Sequence, residues 1–117
     1  MIKLYGIPNC GSVKKGLDWF AARGLDVEFH NFKKEGLEPQ LLDTWISKTS
    51  CDALLNRKGL LWRKLDEARR EAIRDNSEGM RALMLEMPNI IKRPVVVFPD
   101  GTVTIGVVES DWEKFAG

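Results

Sequence analysis

The sequence predicts an α/β fold: a mixed four-stranded sheet with helices packed on it and a helical insertion. Three observations carry that prediction. The chain opens with a change of period, from a short strand around Ile2, Leu4 and Ile7 to helical spacing at Val13, Leu17, Phe20 and Ala21. Near the other end, Val95-Val96-Val97-Phe98 is a continuous apolar run of the kind a buried central strand needs, and Asp100-Gly101 after it is a hairpin signal. Between them, residues 38–88 have helical texture throughout.

Each element has its own punctuation. Gly6 and Pro8 end the first strand, Ser12 is the expected N-cap of the first helix, and Gly24 is its expected stop. Val27 and Phe29 alternate with Glu28 and His30, which predicts a half-buried second strand. Pro39 suits a first helical turn, and Leu41, Leu42, Trp45 and Ile46 form the apolar face behind it. A second helix of the insertion is expected from about Asp66, carrying Ala68, Ala72 and Ile73. A third follows Ser77, with Met80, Leu83, Met84 and Met87 on one face and Pro88 as its end. After the hairpin, Val103 and Ile105 alternate with Thr102 and Thr104, so the return strand is expected to be half exposed, and residues 110–115 form a short closing helix. A right-handed crossover can make the first two strands parallel, while the last two are antiparallel. The simplest packing of this order is a thioredoxin-like (glutaredoxin-like) domain over residues 1–117, with residues 38–88 inserted.

A chain of 117 residues suffices for one domain with one core. Its net charge of +1 implies neither a large nucleic-acid footprint nor a membrane footprint. No apolar run approaches the roughly 18 residues of a spanning helix, and no leader pattern opens the chain. The expectation is a cytoplasmic monomer. With one histidine and two separated cysteines, Cys10 and Cys51, a structural zinc site is not expected, and no disulfide is needed for folding.

The chemistry points to Cys10. A cysteine between a strand and a helix N-terminus faces unpaired N–H groups and the positive end of the helix dipole, and both favour the nucleophilic thiolate. Its neighbours Pro8-Asn9 and Gly11-Ser12 form a polar turn rather than a core segment; Gly11 removes bulk beside the sulfur and Ser12 offers a hydroxyl. The residue three places on is Val13, so no CxxC partner exists to resolve a mixed disulfide. Resolution then falls to an external thiol such as glutathione, to Cys51, or to another protein. Cys51 itself reads as a buried, inert thiol. Arginine is the natural partner for an anion, with Arg57, Arg63 and Arg93 as candidates. Arg93 stands out because it precedes Pro94, at the one kind of peptide bond where the cis form is cheap.

Four motifs in order, Ile7-Pro8-Asn9-Cys10, Phe32-Lys33-Lys34-Glu35-Gly36, Leu54-Leu55-Asn56-Arg57-Lys58-Gly59 and Ile91-Lys92-Arg93-Pro94-Val95, resemble the arsenate reductase (ArsC)-like family, which also contains the Spx regulators. The YffB-type branch is the nearest match. The resemblance covers essentially the whole chain. It implies a thioredoxin-like fold, Cys10 as the reactive thiol and a cis Arg93-Pro94 bond beside it. In the arsenate reductases of this family three arginines hold the oxyanion, and glutathione with glutaredoxin completes the cycle. Arg93 and Arg57 match two of those arginines; the third position is occupied by Gly106. Losing one charge-assisted contact costs about 1.5–3 kcal/mol. The expected function is therefore a glutathione-dependent thiol–disulfide oxidoreductase. It would use glutathione, or another small thiol or disulfide, as co-substrate, hold no tightly bound cofactor or metal, and take glutaredoxin as a possible protein partner. Asn9, Gly11, Ser12, Arg57, Arg93 and Pro94 are the expected binding residues around Cys10. Arsenate reduction proper and Spx-like docking on RNA polymerase are the alternatives; the chain lacks the CxxC switch of the latter.

Overall fold

The computed structural model describes residues 1–116. Along the chain run β1 (Ile2–Gly6), α1 (Gly11–Ala22), β2 (Val27–Asn31), α2 (Phe32–Glu35), α3 (Pro39–Lys48), α4 (Cys51–Leu54), α5 (Leu60–Lys64), α6 (Glu67–Ile73), α7 (Ser77–Glu86), a 3-10 turn (Pro88–Ile90), β3 (Val95–Val97), β4 (Val103–Ile105) and α8 (Glu109–Ala116). They divide into two compact units: a sheet unit, Met1–Glu35 with the chain from Arg93 onward, and a helical unit, Gly36–Lys92.

The sheet unit holds four strands in the order β2-β1-β3-β4. β1 and β2 are parallel with Leu4 opposite Phe29; β1 and β3 are antiparallel with Leu4 opposite Val96; β3 and β4 are antiparallel with Val96 opposite Thr104. This is the mixed sheet the pattern predicts. Leu4 and Val96 share a face, and with Ile2, Val13, Trp19, Phe20, Phe98 and Trp112 they make its core. The aromatic rings interlock at ordinary edge and tilted distances, Phe20–Trp112 at 5.2 Å and Trp19–Trp112 at 5.5 Å.

Three local expectations change. Helix α1 is capped by Cys10, not Ser12: the Cys10 backbone is extended, and its carbonyl accepts the first helical bond from Lys14 N–H at 3.0 Å. The buried face of α1 is Val13, Gly16, Trp19 and Phe20, with Ala21 exposed and Leu17 only half-buried. The helix rolls toward Gly16 because a residue without a side chain lets it sit close to the sheet. In β4 the hairpin register turns Thr104, not Val103 or Ile105, onto the core face. Its hydroxyl accepts a hydrogen bond from the indole Nε1–H of fully buried Trp112 at 3.1 Å, which satisfies both polar atoms.

The helical unit is built from short helices, three of them with side-chain N-caps. Ser50, Asp66 and Asn76 accept backbone N–H bonds from Ala53, Arg69 and Gly79 at the starts of α4, α6 and α7. Leu42, Trp45, Leu54, Met80, Leu83, Met84 and Ile90 are its main buried side chains. Ala68 and Ala72 are exposed, so α6 is anchored by Ile73 alone among the three residues expected on its apolar face. A single bridge between Leu55 and Ile91 closes the unit near its ends, with Lys92 N–H donating to Leu54 O at 2.8 Å. Two surface ion pairs tie α7 to its neighbours: Arg81 holds Asp43 through two bonds, of 2.6 and 3.1 Å, and Arg69 holds Glu86 at 2.8 Å. Among the described residues no helix is long and apolar enough to cross a membrane.

Two predictions follow from the buried and the charged contacts. Thr104→Val keeps the shape but strands the Trp112 indole N–H, and should cost about 1–3 kcal/mol in denaturant-induced unfolding. The Arg81 guanidinium beside Asp43, and Arg69 beside Glu86, hold both carboxyls below their ordinary range. Folded values below unfolded ones mean stability that is present at neutral pH and lost as pH falls through the lowered folded values. Unfolding midpoints should therefore drop on acidification below the ordinary carboxylate range, and Asp43→Asn should flatten part of that slope.

Candidate active site

Cys10 occupies the N-cap of the 12-residue helix α1. Because the first intrahelical bond runs from Lys14 N–H back to Cys10 O, the N–H groups of Gly11, Ser12 and Val13 lie ahead of the helical ladder, around the cysteine. The Cys10 side chain makes no capping bond, its thiol is free, and it is half-buried at the rim of the sheet-unit core. Asn9, Gly11 and Ser12 are exposed in the surrounding turn, and nothing lies within 4 Å of the place a Gly11 Cβ would take. One side of the sulfur is thus backed by the core, and the other opens to solvent over bare backbone. Lys14 is held by Asp18 at 2.7 Å, both largely exposed, so its charge is offset locally.

Strand register brings a second segment to the same end of the sheet. Tyr5 pairs with both His30 and Val95. The Cys10 turn leaves β1 just beyond Gly6, where antiparallel β3 is entered through Arg93 and Pro94. The Arg93-Pro94 peptide is cis, as the resemblance implies. Pro94 is buried, and it approaches α1: a Cβ on Gly16 would lie 3.5 Å from Pro94 Cγ. The Pro94 carbonyl accepts the N–H of Gly106 at 2.9 Å. Gly106 sits at φ +79, a left-handed conformation that side chains disfavour, with open space where a Cβ would be. Position 106 is therefore neutral and shaped for glycine. Arg93 is half-buried.

Arg57 belongs to the helical unit, and its guanidinium is engaged there. One nitrogen, Nη2, donates to Asp52 Oδ1 at 2.8 Å and to the carbonyl of Arg74 at 3.3 Å, and lies 3.5 Å from the Met80 sulfur. Cys51 opens α4, is 7% exposed, and directs its thiol to the Ser77 carbonyl at 3.6 Å. Burial pushes that thiol's pKa up, and the Asp52 charge adds to the effect. It is a poor nucleophile in the folded chain.

The expected residues Asn9, Cys10, Gly11, Ser12, Arg93 and Pro94 all fall in the sheet unit, and Arg57 in the helical one. Sequence reasoning missed the close approaches at Gly6 and Gly16. A glycine inside a helix costs about 1 kcal/mol relative to alanine, and that local penalty was the available signal at Gly16.

The ArsC family model matches residues 5–115. An uncharacterized protein of Haemophilus influenzae is 33% identical over 113 residues, 97% of this chain and 96% of the relative. The solved structure of a YffB protein superposes with a TM-score of 0.92 at 30% identity, covering 100% of both chains. An arsenate reductase (ArsC) related protein from Brucella melitensis is 36% identical, with a TM-score of 0.77 over 98% of this chain and 93% of that one. An arsenate reductase from Vibrio cholerae, 18% identical with a TM-score of 0.80 over 97% and 96% of the two chains, shares the fold. With a match that runs from the end of β1 to the last turn of α8 and takes in both the cysteine turn and the cis proline, the chain belongs to the ArsC family.

Proposed function

We propose that this protein is a glutathione-dependent thiol–disulfide oxidoreductase that works through Cys10 alone. The observation that carries the reading is a free thiol at the N-cap of a long helix, open over Gly11, with a buried valine where a resolving cysteine would stand. The N–H groups of the first turn and the helix dipole stabilise negative charge on the sulfur. The Cys10 thiolate attacks one sulfur of a glutathionylated disulfide; the new S–S bond joins Cys10 to the glutathionyl group, and the other sulfur leaves as a thiolate. A second glutathione thiolate then attacks the glutathionyl sulfur, releases oxidised glutathione and regenerates the Cys10 thiolate. The net reaction consumes one free glutathione thiol: the mixed disulfide and glutathione become the substrate thiol and oxidised glutathione, and Cys10 returns to its starting state. Glutaredoxin can take the place of glutathione in the second step.

Arg93, entering β3 beside Pro94, would bind a glutathione carboxylate. Asn9, Gly11 and Ser12 would line the approach to the sulfur. Cys51, buried and tied to Ser77, is unsuited to resolving the adduct, which supports the monothiol route. The names of family members support a second reading, arsenate reduction. Gly106 weighs against it, because the neutral glycine turn supplies no third cation for the oxyanion.

Oxidised glutathione at neutral pH should add one glutathionyl group, located at Cys10 by peptide mass spectrometry and absent from Cys10→Ser; an adduct on Cys51 with Cys10 unmodified rejects the reading. Arg93→Ala should raise the KM for glutathione by about tenfold, the value of one charged contact. The alkylation rate of Cys10 by iodoacetamide should stay within about twofold of native in that variant, since the reagent carries no carboxylate for Arg93 to bind.

A further inference from the structure

The first turn of α1 carries the N–H groups that surround Cys10, and one side chain holds that turn down. Gly11, Ser12, Lys14 and Lys15 are exposed, while Val13 is 1% exposed. Val13 rests on the bare backbone of Gly6 at the end of β1. A Cβ on Gly6 would overlap Val13 Cγ2 and stand 3.6 Å from both Val13 Cβ and Cγ1. Gly6 is not a glycine for conformational reasons: among the described residues the positive-φ glycines are Gly24, Gly36, Gly101 and Gly106, and Gly6 is a paired strand residue outside that set. Its missing side chain serves the contact with Val13.

We propose that Gly6 and Val13 are a positioning pair that sets the first turn of α1 against Cys10; the proposal rests on the reading of Cys10 as the reactive thiol. One of the N–H groups concerned is Val13's own, so displacing its side chain moves a donor directly. The effect of a helix terminus on a neighbouring charge falls off within a turn, so a small tilt there matters. One turn further along, the helix is fixed independently: a Cβ on Gly16 would lie 3.1 Å from Leu4 Cδ1 and 3.3 Å from Trp112 Cη2. With α1 held at Gly16, a clash at Gly6 is relieved by lifting the N-terminal turn, where Cys10 sits.

The test follows alkylation of Cys10 by iodoacetamide across pH, mapped by peptide mass spectrometry. It compares the native chain, Gly6→Ala, Val13→Ala and the double variant, with thermal unfolding recorded for each. Gly6→Ala should react about tenfold more slowly at neutral pH, with its rate–pH curve displaced to higher pH, because the donor turn is lifted. Val13→Ala should shift in the same direction, because the turn loses its seat. The double variant removes two methyl groups at position 13 and adds one at position 6, which relieves the clash and refills most of the seat, and should return to within about threefold of native. A folded single variant with the native rate and pH profile overturns the proposal, as does a double variant no faster than the singles. If Gly6→Ala does not fold, Val13→Ala and the double variant decide. Iodoacetamide needs no glutathione site, so a native chain that fails to accept glutathione rejects the proposed function while the pH profiles still judge the pair.

Discussion

The close seating of α1 on the sheet is the constraint on which the rest of the sheet unit depends. Two glycines make it possible, Gly6 under Val13 and Gly16 against Leu4, Trp112 and Pro94. The aromatic core of Trp19, Phe20 and Trp112 packs where that seating brings the helix down, and Trp112 in turn finds its polar partner in Thr104. The same placement fixes the helix N-terminus at the end of β1, and a cysteine there meets unpaired backbone donors without needing a charged neighbour. On the function proposed for Cys10, chemistry and packing share one helix position, and Gly6 and Val13 serve the thiol from beneath the turn rather than from its open side.

Much of the architecture was legible in the sequence because its strongest signals are periodic. The Val95-Val96-Val97-Phe98 run, the helical spacing from Val13 to Phe20 and the Met80–Leu83–Met84 face all depend on burial, which repeats with the element and leaves a trace in hydropathy. What was not legible depends on contacts between elements. Nothing local distinguishes Thr104 from Val103 as the inward residue of β4; the hairpin register decides, and Trp112 from a distant helix makes the buried hydroxyl tolerable. Helices α4 and α5 have four and five residues, too short to show a period; Ser50 caps the first, and the second has no side-chain cap.

The candidate site divides the same way. Cys10 was readable from its position between a strand and a helix, and Arg93-Pro94 from the special chemistry of the peptide bond before proline. The partners of Arg57 were not, because Asp52, the Arg74 carbonyl and Met80 come from three parts of the helical unit that only its folding assembles. Cys51 was read as buried and inert from its surroundings; the structure adds the cause, a thiol turned to the Ser77 carbonyl with Asp52 next to it.

Gly106 bears on how this site could change over evolutionary time. Its left-handed backbone and its bond to the Pro94 carbonyl belong to the path by which the chain leaves the hairpin. Substituting an arginine there would add a cation but would cost about 1–2 kcal/mol in backbone strain, at the residue that pins the proline. If the site works on disulfides as proposed, gaining an oxyanion-binding arginine here is favoured by altering the turn together with the side chain, a coupled change rather than a single substitution.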